Sequence, residues 1–314
     1  MLQMQQEFYA HGKLLIAGEY LILHGAMGLA IPVRYGQRMR VSTPADMSAE
    51  IHWRALTDEG KVWMDVKLQA ADFGIVQTQV GTEKEITQLR KILQAVRAQK
   101  PDYLKDAQGL LIEHQLEFPR TWGLGSSSTL VSNVSAHAGI NPFVLHKSVF
   151  NGSGYDIACA RSKWPVLYRI DDEGPVYDTV HFMPPAPEQL VFVHLGKKQD
   201  TQVSVDAFLS GGNNHAEYIE IISELSEALM FCDDAADFIQ LLDEHEEVMQ
   251  YVLQQEKIKT QLFADFPGSV KSLGAWGGDF VLAAAPMEPM ALQQYFTDKG
   301  FTTVIPYLDM FLKQ

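Results

Sequence analysis

Phe118-Pro119-Arg120-Thr121-Trp122-Gly123-Leu124-Gly125-Ser126-Ser127-Ser128-Thr129-Leu130 joins two glycines to three consecutive serines and an apolar run. Backbone N–H groups at a helix start collect partial positive charge, so such a loop entering a helix can cradle phosphate. Glycines let phosphate oxygens approach the backbone. A serine hydroxyl can reach the metal ion that accompanies a nucleoside triphosphate. The same residues also make an ordinary capped helix start. The choice between the two rests on what else the chain supplies.

Three further segments join the loop. Gly12-Lys13-Leu14-Leu15-Ile16-Ala17-Gly18-Glu19-Tyr20 puts a lysine at the mouth of a strand and a Gly-Glu-Tyr after it. Asn151-Gly152-Ser153-Gly154-Tyr155-Asp156-Ile157-Ala158 places a carboxylate just beyond a glycine turn. Lys271-Ser272-Leu273-Gly274-Ala275-Trp276-Gly277-Gly278-Asp279-Phe280 is another glycine loop, leading into an apolar strand. Each alone has a ready explanation as a tight turn. All four in this order are hard to credit to turns alone.

The elements that must position them alternate between strand and helix. Leu14–Ile16, Leu21–Leu23, Leu29–Val33 and Met39–Val41 read as strands, and residues 51–56 and 62–66 as a hairpin. Residues 83–99 read as an amphipathic helix through Ile86, Leu89, Leu93 and Val96. A strand over 110–118 delivers the serine loop, and helices follow at 126–138 and 142–150. After Tyr168 a stretch rich in Asp, Gly and Pro approaches a second domain. That domain reads as strand 190–195, helices from about 203 to 255, strand 280–284, helix 290–299 and strand 302–305, an α+β sandwich with helices on one face.

The chain has 314 residues, 46% of them hydrophobic, enough for a large core and, by length, two domains. No apolar run approaches the ~18 residues that span a bilayer. Met-Leu-Gln-Met-Gln-Gln-Glu-Phe at the start has neither the basic nor the apolar region of a secretory signal, so a soluble cytoplasmic protein is expected. Cys159 and Cys232 lie far apart without metal or redox spacing and read as two buried small hydrophobes. A net charge of −14 speaks against nucleic acid and anionic membranes as partners. To bind polyanions, such a chain must gather its cations in one cleft; Lys13, Arg34, Arg38, Lys197, Lys198 and Lys271 are the candidates. Asp243-Glu244-His245-Glu246-Glu247 could pass for a metal cluster, but with no second histidine one turn away it reads as a solvated helix face.

Taken together, these motifs resemble the GHMP kinases, small-molecule kinases that include mevalonate, phosphomevalonate, galactose and homoserine kinases. The likeness spans nearly the whole chain. Gly-Ser-Gly-Tyr-Asp-Ile-Ala points further, to a bacterial branch of that family named for its Gly-Tyr-Asp-Ile-Ala string. The resemblance implies an α+β two-domain fold: residues 1–175 as a ribosomal-protein-S5-like domain and 176–314 as a ferredoxin-like α/β sandwich. It implies ATP with Mg²⁺ as the phosphoryl source. By position, Asp156 matches the catalytic aspartate that takes the acceptor's proton, and Lys13 the lysine that pairs with it and with phosphate oxygens. Gly123, Leu124, Gly125, Ser126, Ser127 and Ser128 match the triphosphate loop, Ser127 being the hydroxyl ligand of Mg²⁺. Gly274, Gly277 and Gly278 match the third motif, which closes from the C-terminal domain.

The departures narrow the reading. Tyr20, in Gly18-Glu19-Tyr20, and Gly277-Gly278-Asp279 resemble the phosphomevalonate kinase versions of their motifs, so Glu19 and Tyr20 are expected on the substrate side. Trp276 replaces a glycine, giving that loop either another shape or a stacking role. Between Ser128 and Gly152 there is neither Asp nor Glu, where mevalonate kinases place a magnesium-binding glutamate. The metal is then expected on phosphates, water and Ser127, with Asp156 or Glu19 the nearby carboxylates. Lys197 and Lys198 either meet the acceptor's anionic group or form an exposed basic loop. Trp53 or Trp63 either walls the adenine or packs in the core. The expected activity is ATP-dependent phosphoryl transfer to phosphomevalonate or mevalonate. The alternatives are a related kinase for a sugar or amino-acid alcohol, and a ligand-binding relative without catalysis.

Overall fold

The structure is a computed structural model that describes residues 5–44, 49–197, 206, 208–209, 216–274, 276 and 278–312. In chain order the elements begin with β1 (Gln5–Ala17), a 3-10 turn (Leu21–His24), β2 (Gly28–Ser42), β3 (Ile51–Leu56), β4 (Val62–Leu68) and β5 (Ile75–Val80). Next come α1 (Glu83–Gln99), β6 (Leu110–Leu116), α2 (Ser126–Ala138), α3 (Pro142–Val149), α4 (Tyr155–Arg161), β7 (Val166–Asp171) and β8 (Gly174–Thr179). The chain continues through β9 (Leu190–His194), α5 (Ala216–Phe231), α6 (Ala235–Leu253), α7 (Ile258–Leu262), β10 (Ser269–Ser272) and β11 (Phe280–Ala284). It ends with α8 (Pro289–Asp298), β12 (Val304–Pro306) and α9 (Tyr307–Met310). This is an α+β fold with mostly antiparallel sheets. It packs as two compact units: Met1–Gly12, Tyr35–Arg120 and Gly125–Phe150 in the first, Lys13–Arg34, Thr121–Leu124 and Asn151–Gln314 in the second.

In the first unit the strands lie in the order β5-β4-β3-β6-β2, antiparallel except where β3 runs parallel to β6 with Trp53 opposite Ile112. A capping box starts α1: Glu85 N–H donates to Thr82 Oγ1 (3.3 Å) and Thr82 N–H to Glu85 Oε2 (2.9 Å). Its apolar stripe, Ile86, Leu89, Ile92, Leu93 and Val96, is buried. Two polar bonds fix α2 on β2: Thr129 Oγ1 donates to Gln37 Oε1 (2.9 Å) and Asn133 Nδ2 to Gln37 O (2.9 Å). Gln37, Thr129 and Asn133 thus keep partners, which spares these groups the desolvation penalty of an unmade bond.

In the second unit β2 pairs with β7, and β7 with β8. A separate antiparallel sheet has the order β10-β11-β9-β12, with Phe280 opposite His194. Alternate residues Val191, Val193, Val281 and Ala283 pack with Phe263 and Phe266 from the loop after α7 and with Leu292 and Phe296 from α8. Helix α5 packs on α6 and on the 3-10 turn, and α6 on β10.

The structure corrects three sequence expectations here. Leu21–Leu23 is no strand: Gly18 and Tyr20 both take positive φ (102° and 59°), and the chain coils into the 3-10 turn. The acidic run on α6 is not a solvated face throughout, because His245 and Glu246 are fully buried. Cys159 is buried as expected, but Cys232 is only partly so. No helix among the described residues is long and apolar enough to cross a membrane.

Candidate active site

Lys13 lies in β1, where its backbone N–H donates to Leu124 O (3.1 Å) and its Nζ to Gly123 O (3.1 Å). Strand and loop are therefore tied twice at one residue. The loop is secured on its other side as well: His194 Nε2 lies 3.1 Å from Thr121 O, and the Trp122 ring meets Phe280 edge-on at 5.6 Å. Leu124 itself is buried; what it offers is its carbonyl.

Asp156 stands in the first turn of α4, after Gly154 at φ 91°, and its Oδ1 accepts from Ile157 N–H (3.0 Å). The turn before it is held by Tyr168, whose hydroxyl donates to Ser153 O. Lys13 Nζ sits 5.5 Å from the Tyr155 ring centroid. Burial works against the Lys13 ammonium, but Tyr155, Asp156 and Asp279 outweigh it and hold its pKa above the ordinary value. Burial pushes the Tyr155 hydroxyl up to about 12 against the pull of Lys13, and raises the Cys159 thiol, which also feels Asp156. Lys13, far from Asp156 in sequence, is thus brought to the turn that carries it and within electrostatic reach of its carboxylate.

Asp279 is the residue that sequence reasoning missed. It ends the third glycine loop at φ 48°, is 7% exposed, and acts on the Lys13 charge. Its N–H donates to Lys197 O (2.9 Å), and its O accepts from Leu195 N–H (2.8 Å). A Cβ at Gly123 would lie 2.2 Å from Asp279 Oδ2, so only glycine permits this approach. The available signal was the Gly-Gly-Asp string itself. Gly274 takes φ 70°, Gly278 is buried, and Gly277 lies outside the described residues, as does Lys198. The Lys197 side chain is exposed.

The rest of the serine loop belongs to the first unit. Gly125 at φ 90° precedes α2, and no side chain caps that helix. Ser128 is buried, its Oγ donating back to Gly125 O (2.9 Å), and Ser126 is half-buried, whereas Ser127 is exposed. Of the three serines, Ser127 therefore presents its hydroxyl outward. Trp53 is buried and stacks on His114 at 4.7 Å, which makes it a core residue; Trp63 carries the Arg120 guanidinium 3.7 Å from its ring centroid.

Glu19 takes different partners. Its carboxylate is 2% exposed, accepts from Lys271 Nζ at 2.6 Å, and lies 3.3 Å from His245 Nε2. Gly18 N–H donates to His245 Nε2 (3.1 Å), and Ser272 N–H to Glu246 Oε1 (3.1 Å). Next to Glu19, the Tyr20 hydroxyl accepts from Trp276 N–H (3.2 Å), so the buried network holds a turn that bonds to the third loop. Trp276 is buried in the cluster of Leu21, Ile222 and Met249, which gives it a packing role.

Burial drives the Glu246 carboxyl up to about 8 despite Lys271, while burial and then Lys271 keep His245 neutral. Below the ordinary carboxyl pKa, folded and unfolded chains both hold the Glu246 proton, and its contribution to stability is complete. As pH rises from there to about 8, the unfolded chain releases a proton that the folded one keeps, so stability falls. Glu246→Gln removes this slope: its Tm is expected to gain on wild type between pH 5 and 8 by several degrees, the equivalent of about 1–3 kcal/mol. Parallel Tm-versus-pH curves in thermal unfolding would refute the assignment.

No family model matches the sequence, and no curated protein matches it. Solved structures do. Streptococcus pneumoniae phosphomevalonate kinase in complex with phosphomevalonate and AMPPNP superposes at TM-score 0.70 and 17% identity, over 95% of this chain and 99% of that one. L. major mevalonate kinase in complex with R-mevalonate gives TM-score 0.61 and 15% identity, over 96% and 95%. Lactococcus lactis galactokinase complexed with galactose gives TM-score 0.63 and 12% identity, over 96% and 94%. The chain has the fold of the GHMP kinases.

Proposed function

We propose that this chain is an ATP-dependent kinase that transfers the γ-phosphoryl group to a small anionic alcohol or phosphate ester, phosphomevalonate ahead of mevalonate, on the mevalonate route to isoprenoids. The observation that carries the reading is the position of Lys13, whose Nζ bonds the Gly123 carbonyl at 3.1 Å and lies 5.5 Å from the ring of Tyr155, next in sequence to Asp156. The solved neighbours bound to phosphomevalonate and to R-mevalonate support the acceptor class. Asp156 faces the attacking oxygen of the acceptor and takes its proton where that oxygen is a hydroxyl, while Lys13 offers its charge to the attacking oxygen and to phosphate oxygens. Backbone N–H groups from Gly125 to Ser128 bind the triphosphate. Mg²⁺ suits oxygen donors, and MgATP would be held by its phosphates and the exposed Ser127 hydroxyl. Among the described residues no group of three or more His, Cys, Asp or Glu could hold a metal alone. When bound, the ion would supply counter-charge to the triphosphate. Phosphoryl transfer is mostly positioning and charge neutralisation, so few reactive side chains suffice.

ADP release across phosphomevalonate, mevalonate, homoserine and galactose tests the reading. Turnover is expected with phosphomevalonate above mevalonate and not with the other two. Turnover confined to homoserine or galactose would move the enzyme elsewhere in the family; stabilisation by ligands without any turnover would make it a binding protein.

The Lys197 carbonyl accepts from Asp279 N–H (2.9 Å), and the Lys197 side chain is exposed. As a point charge for the acceptor's anion, it is expected to matter for binding alone. Lys197→Ala should raise the acceptor KM by roughly tenfold with kcat unchanged. An unaltered KM would leave Lys197 a solvated surface charge.

A further inference from the structure

We propose that Asp279 makes triphosphate binding conditional on a divalent cation, an inference that rests on the kinase reading above. Its carboxylate packs on the Gly123 backbone so closely that a methyl group there would lie 2.2 Å from Oδ2. Gly123 is also the residue whose carbonyl holds Lys13 Nζ, and Asp279 is one of the charges acting on that lysine. The aspartate is 7% exposed, and its backbone is bonded on both sides, to Lys197 O and Leu195 N. A negative charge is therefore fixed against the first glycine of the loop that receives phosphates.

Metal-free ATP brings several more negative charges to that place. Lys13 offers a single positive charge and already faces Tyr155, Asp156 and Asp279. Like charges brought together away from water repel strongly and select against the wrong partner. A divalent cation travelling with the triphosphate inverts the contact, because a carboxylate oxygen is the ligand type a hard cation takes, directly or through water. Asp279 thus disfavours free ATP and favours its metal complex. The other carboxylates of the site have other duties: Glu19 is paired with Lys271, and Asp156 faces the acceptor's proton.

The test is calorimetric titration of AMPPNP in EDTA and in excess Mg²⁺, with no turnover involved. For wild type, Mg²⁺ is expected to tighten binding by roughly 100-fold; for Asp279→Asn, by less than about tenfold, with the gain chiefly in metal-free affinity. Asparagine is at ease at positive φ, so the variant keeps the loop, which an unchanged Tm verifies. Asp156→Asn removes the other carboxylate acting on Lys13 and is expected to stay within about threefold of the wild-type ratio. Equal ratios in wild type and Asp279→Asn, or an equal collapse in Asp156→Asn, would overturn the inference and leave the kinase reading intact. No binding of AMPPNP to wild type in either condition would overturn both.

Discussion

Asp156→Asn lowers kcat by about 10²–10⁴-fold while AMPPNP still binds, because the substitution removes a proton acceptor and keeps the shape of the side chain. The Asp156 carboxylate is anchored by Ile157 N–H, and Asn Oδ1 can accept the same bond, so the start of α4 survives. Lys13→Met is expected to act on two quantities together. It takes away the cation beside the attacking oxygen and the donor that reaches phosphate, so kcat and nucleotide affinity both fall. Since the two residues work as a unit, the double variant should be little worse than the poorer single one. The raised pKa of Lys13 adds a further expectation: no loss of activity traceable to this ammonium as pH climbs from 7 to 9. Steady-state ADP release paired with calorimetry reads all of these. If Asp156→Asn keeps kcat within about tenfold of wild type, the carboxylate is not the base and the mechanism fails.

What could be read in advance and what could not divide along physical lines. The turns before Asp156 and α2 were legible because glycines mark them and turn chemistry is local, whereas Lys13 lies inside β1 and was marked only by the resemblance. Helix α1 was legible to the residue, since its capping box and apolar stripe both lie within its own sequence. Asp279 is not legible in this way. Its position depends on a φ of 48° and on the absent side chain of Gly123, facts that arise only when segments far apart in the chain meet. His245 and Glu246 were hidden by their acidic neighbours. Phe238, Leu242, Met249 and Val252 are buried at helical spacing, and the two polar residues fall on that same stripe. Giving the spacing more weight than the charge would have found them. Strand β10 escaped notice because Ser269-Val270-Lys271-Ser272 is half polar and nonetheless entirely buried; its lysine is there for Glu19.

That lysine carries the largest expected effect on stability. Lys271→Met leaves Glu19 buried with no ammonium beside it, and breaking a buried pair in this way costs about 3–5 kcal/mol. Burial already raises the Glu19 pKa, so the stranded carboxyl is expected to take up a proton, which limits the loss and makes it smaller at acid pH than at pH 8. Lys271→Met with Glu19→Gln removes the charge from both sides and should recover about 1–3 kcal/mol of the deficit. Catalysis should register the same break. The network holds Gly18 through His245 and sits next to Tyr20, whose hydroxyl bonds Trp276 N–H in the third loop. A loosened turn is therefore expected to depress kcat in the single variant even where it remains folded, and the double variant should regain part of it. Urea unfolding at pH 5 and pH 8, with activity measured alongside, separates these contributions. A Lys271→Met midpoint equal to wild type at both pH values would mean that Lys271 and Glu19 do not form the pair on which this account depends.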